Sequence, residues 1–342
     1  MRRPLLIGSV APSGAERVAM RLKELGVDFV FSIPGSQVLP IWDALDRVNG
    51  PRLIVPRTER AAALMAEGYG LASGRPAVVM NTLGPGVANE AVAVASAKLS
   101  SAPVVYLTPC QPPAKRTRID EVFQGLDHGA FLSGAAKQQL LCDSTDQLEP
   151  MIDEAFASAI ADSAGPVRLD VSFPILFRRA RRRGGRQAAS HQTRPPKAAP
   201  GADLVLALDD SALTGSATLA TAGLFGDLER SVMPGADGPG MGAPFALGLR
   251  LGRPRTPVVL ALTAESLLGQ LDTVIVATAE GVPVTVAAAA DSPEAALAKP
   301  AALATGAAWW PIDSGESPEA VRANFHQRTR GLTILVVNQP AG

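Results

Sequence analysis

The chain has 342 residues, 47% of them apolar and 19% charged, and a formal net charge of zero. That length suggests about two domains, each with its own core. The charge balance excludes a general pull toward nucleic acid or an acidic surface. Two cysteines, Cys110 and Cys142, cannot make a secreted disulfide framework, and neither stands in a metal-ligand spacing with a histidine.

Aromatic residues are only 4%, so the cores must be built from Ala, Val and Leu. Met1 to Val10 is basic and then apolar, but its apolar run is too short for a signal peptide. No run approaches the length needed to span a bilayer, so a cytoplasmic location is expected and no membrane partner.

Ser13-Gly14-Ala15-Glu16 predicts a helix start, with Val18, Leu22 and Leu25 on one face and Gly26 as the stop. Asp28 to Ser32 reads as a buried strand and Val38 to Val48 as a helix. Leu53 to Val55 reads as a strand, and Glu59 to Ser73 as a small-residue helix ended by Gly74. Ala77 to Asn81 is a strand, and Gly84-Pro85-Gly86 turns into a helix from Val87 to Ser100. Pro103 to Thr108 is a strand, Glu121 to Phe131 and Ser144 to Ala161 are helical, and Pro166 to Val171 is a strand. Such alternation predicts an α/β layer with a parallel sheet. Ligands of these sheets bind beyond the carboxyl ends of the strands. Gly35, Glu59 and Gly84 all fall just after strands, so they could share one rim. Glu59 alone is either a charge partner for its helix dipole or a catalytic acid/base.

Residues 178–200, with six arginines from Arg178 to Arg186 and no acid, read as a solvated Gly/Pro linker. An arginine cluster for an anionic surface is the alternative. No aromatic interleaves the arginines, so specific nucleic-acid binding is not expected. The linker divides the chain into domains 1–177 and 201–342. In the second, Leu204 to Leu208 is a strand, and Gly235 to Gly242 is a glycine-rich loop before a helix from Ala243 to Leu251. Asp237 in that loop reads as a turn residue. Strands follow at Pro257–Thr263, Pro283–Ala288 and Thr333–Val337, with helices at Leu267–Glu280, Pro293–Thr305 and Pro318–Arg328. Trp309 and Trp310 are expected to pack a late strand onto the sheet.

Over residues 13–177 the ordered motifs resemble the thiamine-diphosphate-dependent family that includes acetolactate synthase and the 2-oxo acid decarboxylases. Phe31 to Leu45 resembles the family's entry segment, and Arg57 to Gly70 its glutamate helix. Gly84-Pro85-Gly86-Val87-Ala88-Asn89 is similar to its GPG-x-x-N turn. Phe123-Gln124 and Lys137 are similar to a later motif, and Ala164 to Val171 to its closing strand. The resemblance implies two α/β domains of the thiamine-diphosphate-binding fold. It also implies that Glu59 hydrogen-bonds the cofactor's aminopyrimidine and relays the proton that makes the ylid. Gly35 and Gln124 would line the substrate side, while Gly84, Gly86 and Asn89 belong to the turn beside the cofactor.

The second half resembles the family's diphosphate-binding domain. Met241 matches the residue that wedges the cofactor into its bent form. The family's Gly-Asp-Gly metal motif is Ala264-Glu265-Ser266 here, and Ala290-Asp291 stands where the family has paired asparagines. Glu265 and Asp291 are therefore the candidate magnesium ligands. The resemblance implies a carbon–carbon lyase or carboligase acting on a small 2-oxo acid, in a homodimer or homotetramer. The histidines His128, His191 and His326 do not pair in sequence, which favours a carboligase, and His128 reads as a surface helix residue. The altered metal motif supports the alternative, a cofactor-free member acting as a scaffold, regulator or partner subunit.

Overall fold

The structure is a computed structural model describing residues 11–116, 118–179, 205–209, 232–236, 238, 240–289, 293–312, 316, 320–321 and 333–337. Two parallel sheets are present. The first has six strands: β1 (Phe29–Ser32), β2 (Arg52–Ile54), β3 (Ala77–Met80), β4 (Val104–Cys110), β5 (Gln138–Cys142) and β6 (Val167–Ser172). Their order is β2-β1-β3-β4-β6-β5, and every pair is parallel. The second holds β7 (Val205–Leu208), β8 (Val258–Leu262), β9 (Thr285–Ala289), β10 (Ala308–Ile312) and β11 (Thr333–Val337), in the order β10-β11-β9-β8-β7. The expected α/β class with mostly parallel sheets is what the structure has.

Helix α1 (Gly14–Glu24) begins at a capping box in which Ser13 and Glu16 satisfy each other's backbone N–H, and Gly26 at φ 71° follows it. Helix α2 (Leu39–Arg47) connects β1 to β2. Helix α3 (Glu59–Ser73) is capped by Thr58, whose hydroxyl accepts from Ala61 N–H, and stops at Gly74 in the left-handed region. Helix α4 (Pro85–Leu99) starts two residues before the expected Val87, because Pro85 suits the first helical position. Short helices α5 (Pro113–Arg116) and α6 (His128–Phe131) precede β5. Helix α7 (Leu148–Ile160) joins β5 to β6, and α8 (Phe173–Phe177) follows β6. In the second half lie α9 (Gly242–Gly252), α10 (Ala264–Gly269), α11 (Leu271–Ala279) and α12 (Pro293–Ala304).

Helix α3 explains the assembly. From Ala61 to Gly70 every residue is buried, so it is covered on all sides. One face lies on the first sheet and α4; the other meets α9 in the most extensive helix–helix contact among the described residues. Small residues permit it. A Cβ on Gly248 would stand 2.0 Å from the Met65 carbonyl oxygen, and one on Gly68 would stand 2.2 Å from that of Phe245. One apolar cluster therefore runs from Phe31 and Val79 through α3 and α9 to Leu260 and Val286. Polar contacts lock the same seam. The buried Glu67 carboxylate accepts from Gly235 N–H at 2.9 Å and Ser100 Oγ at 2.8 Å, and Ala236 N–H donates to Ser96 Oγ at 3.1 Å. Val18, Leu22, Ile41, Leu107 and Leu169 fill the opposite face of the first sheet, and Leu206, Val259 and Trp310 that of the second.

Two helix expectations change, and one strand was not expected. The helix expected over Glu121–Phe131 is a 3-10 turn, Ile119–Glu121, then a loop, then α6. Gln124 at φ 57° breaks the run, and the Asp127 carboxylate accepts from Ala130 N–H to start α6 afresh. Strand β5 is an added edge strand, half exposed along its length. The helix expected over Leu267–Glu280 is divided at Gln270 into α10 and α11. The tryptophans lie within a strand of their own, β10, paired to β11. Residues 180–200, Asp237, Asp291 and most of Pro318–Arg328 lie outside the described residues.

Candidate functional site

Chain order places a switch point in the first sheet. From β1 the chain goes outward to β2, then returns to β3 on the other side of β1. Crevices at such points take ligands beyond the strand ends. Because β2, β1 and β3 are parallel neighbours, the segments after them share one edge. Those segments carry Glu59, Gly35 and Gly84, so the expected common rim is present in the geometry.

Glu59 is the first residue of α3 and is half-buried. Asn89, on α4, donates from Nδ2 to Glu59 Oε2 at 3.1 Å. The carboxylate thus has a hydrogen-bond partner at the mouth between two helices. Gly35 lies under Thr82, where a Cβ would come within 2.8 Å of that side chain. Gly84 adopts φ 67°, and a Cβ there would stand 2.2 Å from the Gln124 carbonyl oxygen. The glycine is required for the turn to touch the 122–125 loop. Gly86 packs over Asn81 and Thr82. The Gln124 side chain reaches Gln37, which donates from Nε2 to its Oε1 at 3.4 Å, and Thr82 Oγ1 donates to Gln37 Oε1. Beside this group is a cavity of about 410 Å3 whose wall includes Gln37, Leu83, Lys115 and Phe123. Lys137, by contrast, caps α7, donating to the carbonyls of Ser158 at 2.7 Å and Ala161 at 2.6 Å.

Beneath the turn is a buried ionic network absent from the sequence reading. Arg168, on β6, is 1% exposed, and Glu90, on α4, is 0% exposed. Arg168 Nη1 donates to Glu90 Oε1 at 3.1 Å, and Nη2 lies 2.7 Å from Asp170 Oδ1. Asn81 Nδ2 donates to Glu90 Oε2 at 2.7 Å. His128 is buried, not a surface residue, because α6 packs it against the end of β6. Its Nε2 accepts from Gly84 N–H at 3.1 Å, and Nδ1 lies 3.2 Å from Asp170 Oδ2. The tautomer that serves both neighbours carries its proton on Nδ1 and donates to Asp170. The Gly84 turn is thereby tied through His128 to the network.

Burial pushes the Glu90 carboxyl from 4.5 up to about 7, against the opposing pull of Arg168 and Asn81. Asp170 is also pushed up by burial, but Arg168 and His128 hold it below its ordinary value. The folded state therefore binds a proton at Glu90 more tightly than the unfolded chain does. Its contribution to stability is fully present below pH 4.5 and is lost as pH rises through about 7. Glu90→Gln should flatten the fall in stability over this window. The difference from wild type should be on the order of 3 kcal/mol at the alkaline end. Urea unfolding at a series of pH values measures it, and parallel curves for the two proteins would refute it.

The second half puts a different arrangement at its strand ends. Asp209 follows β7 and is 1% exposed. Its Oδ2 accepts from Gly242 N–H at 3.0 Å and from Gln270 Nε2 at 3.0 Å, and its Oδ1 accepts from Ser266 Oγ at 3.0 Å. Gln270 Oε1 accepts from Ala243 N–H at 2.7 Å. Met241 is buried in the main core, just before α9. Glu265 lies exposed in the first turn of α10, where its charge suits the helix dipole. Among the described residues no group of three His, Cys, Asp or Glu could hold a metal ion.

The fold and this rim define an α/β domain with a ligand crevice at the ends of parallel strands. Residues 12–131 match the family described as "Thiamine pyrophosphate enzyme, N-terminal TPP binding domain". The chain is 34% identical over 159 residues to the acetolactate synthase isozyme 1 large subunit of Escherichia coli, a match covering 46% of this chain and 28% of that enzyme. It is 36% identical over 161 residues to the acetolactate synthase of Bacillus subtilis, covering 47% and 27% respectively. The matched part thus spans little more than a quarter of these relatives. A solved structure, the thiamine diphosphate-dependent 4-hydroxybenzoylformate decarboxylase of Rhodococcus jostii RHA1, superposes with a TM-score of 0.69 at 14% identity. That superposition covers 96% of this chain and 99% of the other and extends the fold likeness to the second half. At the sequence level, the likeness to thiamine pyrophosphate enzymes lies in the N-terminal part of this chain. No helix among the described residues is long and apolar enough to cross a membrane.

The two halves fit the cofactor differently. The rim with Glu59, Asn89 and the Gly84 turn suits an aminopyrimidine: a hydrogen-bonded carboxylate for a ring nitrogen, at the mouth between α3 and α4. The Asp209 end of the second sheet does not suit a magnesium diphosphate, since the buried Asp209 carboxylate takes Gly242 N–H and the Gln270 amide takes Ala243 N–H there.

Proposed function

We propose that the chain is an acetolactate synthase-like carbon–carbon lyase or carboligase acting on a small 2-oxo acid, cytoplasmic and assembled as a homodimer or homotetramer. The observation that carries this reading is the Glu59–Asn89 contact on the rim shared with Gly35 and Gly84. Thiamine diphosphate, when bound, supplies an electron sink for the carbon–carbon bond change. Asn89 keeps the Glu59 carboxylate at the α3–α4 mouth, where it can hold a proton opposite a ring nitrogen. The Gly84 turn brings backbone to the same mouth without a side chain in the way. Gln37 presents its amide to the neighbouring cavity, where it would orient a carboxylate or carbonyl, and Gln124 holds Gln37 in place.

Glu59→Gln tests it. The amide preserves size but cannot relay a proton. Exchange of the cofactor's thiazolium proton, followed by NMR, should slow by at least about 100-fold. Calorimetric affinity for thiamine diphosphate should change by less than about threefold. Unchanged exchange would remove Glu59 from the relay. The second reading, a cofactor-free scaffold or partner subunit, is favoured by the Asp209 arrangement. Complete absence of cofactor binding to the wild type would establish it over the first.

A further inference from the structure

We infer that the diphosphate position of the second half is filled by the chain's own Asp209 carboxylate, so any cofactor held here is held from the pyrimidine side, without a magnesium diphosphate clamp. This rests on the reading of the Glu59 rim as the pyrimidine site.

A helix N-terminus attracts anions because its first N–H groups lack partners. In α9 those groups are used. Gly242 N–H goes to Asp209 Oδ2 and Ala243 N–H to Gln270 Oε1, while the next position is Pro244, which has no N–H. No first-turn donor remains for a phosphate oxygen. The seat is shaped for the carboxylate. A Cβ on Gly242 would stand 2.7 Å from Asp209 Oδ2, so only glycine admits it. The carboxylate itself receives three donors: Gly242 N–H, Gln270 Nε2 and Ser266 Oγ. Ser266 belongs to the triplet that stands in place of the family's metal motif, and it faces this carboxylate instead of a cation. A diphosphate arriving here would meet a buried negative charge and no free donor among the described first-turn groups of α9, and it would have to displace the hydrogen bonds that Asp209 accepts.

The test uses the full chain and two ligands, thiamine and thiamine diphosphate, each titrated calorimetrically with and without magnesium. The expected result is that the two bind within about threefold of each other and that magnesium changes neither. Tightening of thiamine diphosphate by about tenfold or more on adding magnesium overturns the inference. If neither ligand binds, the reading of the Glu59 rim fails, and inorganic pyrophosphate with magnesium decides the inference by itself. The wild type should show no rise in melting temperature beyond that in chloride of equal ionic strength. Asp209→Ala, which frees Gly242 N–H and removes the charge, should show one. Equal stabilisation of both proteins overturns the inference. If Asp209→Ala does not fold, the wild-type arm still decides: stabilisation by pyrophosphate refutes it, and none supports it.

Discussion

Replacing Arg168 by leucine is expected to destabilise the fold by about 3–5 kcal/mol at alkaline pH, above the value of about 7 to which Glu90 is raised, because two buried carboxylates lose their shared cation. Arg168 bridges Glu90 and Asp170 from inside the sheet, and its partners are themselves hidden. Without it, Asp170 keeps His128, but Glu90 keeps only the Asn81 amide. The remedy should be a second substitution. Arg168→Leu with Glu90→Leu removes the charge together with its partner, and a matched apolar pair in such a place is often neutral or stabilising. The double variant should therefore recover most of the loss, giving a coupling energy well above the few tenths expected of independent sites. Urea denaturation of the four proteins closes the cycle. Additive losses would mean that Arg168 stabilises by packing alone.

This network shows where sequence reading stops. Val167-Arg168-Leu169-Asp170 alternates apolar and charged residues, which ordinarily marks a strand with one wet face. Here α4 and α6 cover that face, and the charges meet partners 78 and 42 residues away in the chain. Nothing local announces that pairing. His128 was misplaced for the same reason, since a four-residue helix carries too little periodicity to tell a buried side from an exposed one. By contrast, α1 and α3 were legible almost to the residue, because Ser13, Glu16, Thr58, Gly26 and Gly74 signal their ends through local chemistry. The Glu59–Gly35–Gly84 rim was legible because strand ends and glycine turns fix it once the sheet is parallel. The Asp209 seat was not. Asp209 closes a strand as an ordinary polar residue would, and its three donors come from segments that only the second sheet brings together.

The other large effect is expected at the α3–α9 seam. Glycine to alanine inside a helix usually stabilises, by roughly 0.5–1 kcal/mol, since alanine has less conformational freedom to lose. At Gly248 the sign should reverse. The new methyl would lie 2.0 Å from a backbone oxygen of α3, which cannot rotate away as a side chain can. The helices must separate, and overpacking of this kind costs about 1–3 kcal/mol, occasionally more. Separation also opens the close contact of Gly68 with Phe245 and loosens the bonds from Gly235 N–H to Glu67 and from Ala236 N–H to Ser96, so the upper end or beyond is expected. The two sheets should then unfold in separate steps, because one apolar cluster through α3 and α9 is what joins them. Gly269→Ala is the control. It ends α10 with nothing within 4 Å of the added methyl and should change the unfolding midpoint little. If Gly248→Ala unfolds in one transition at the wild-type midpoint, the close helix contact does not hold the halves together.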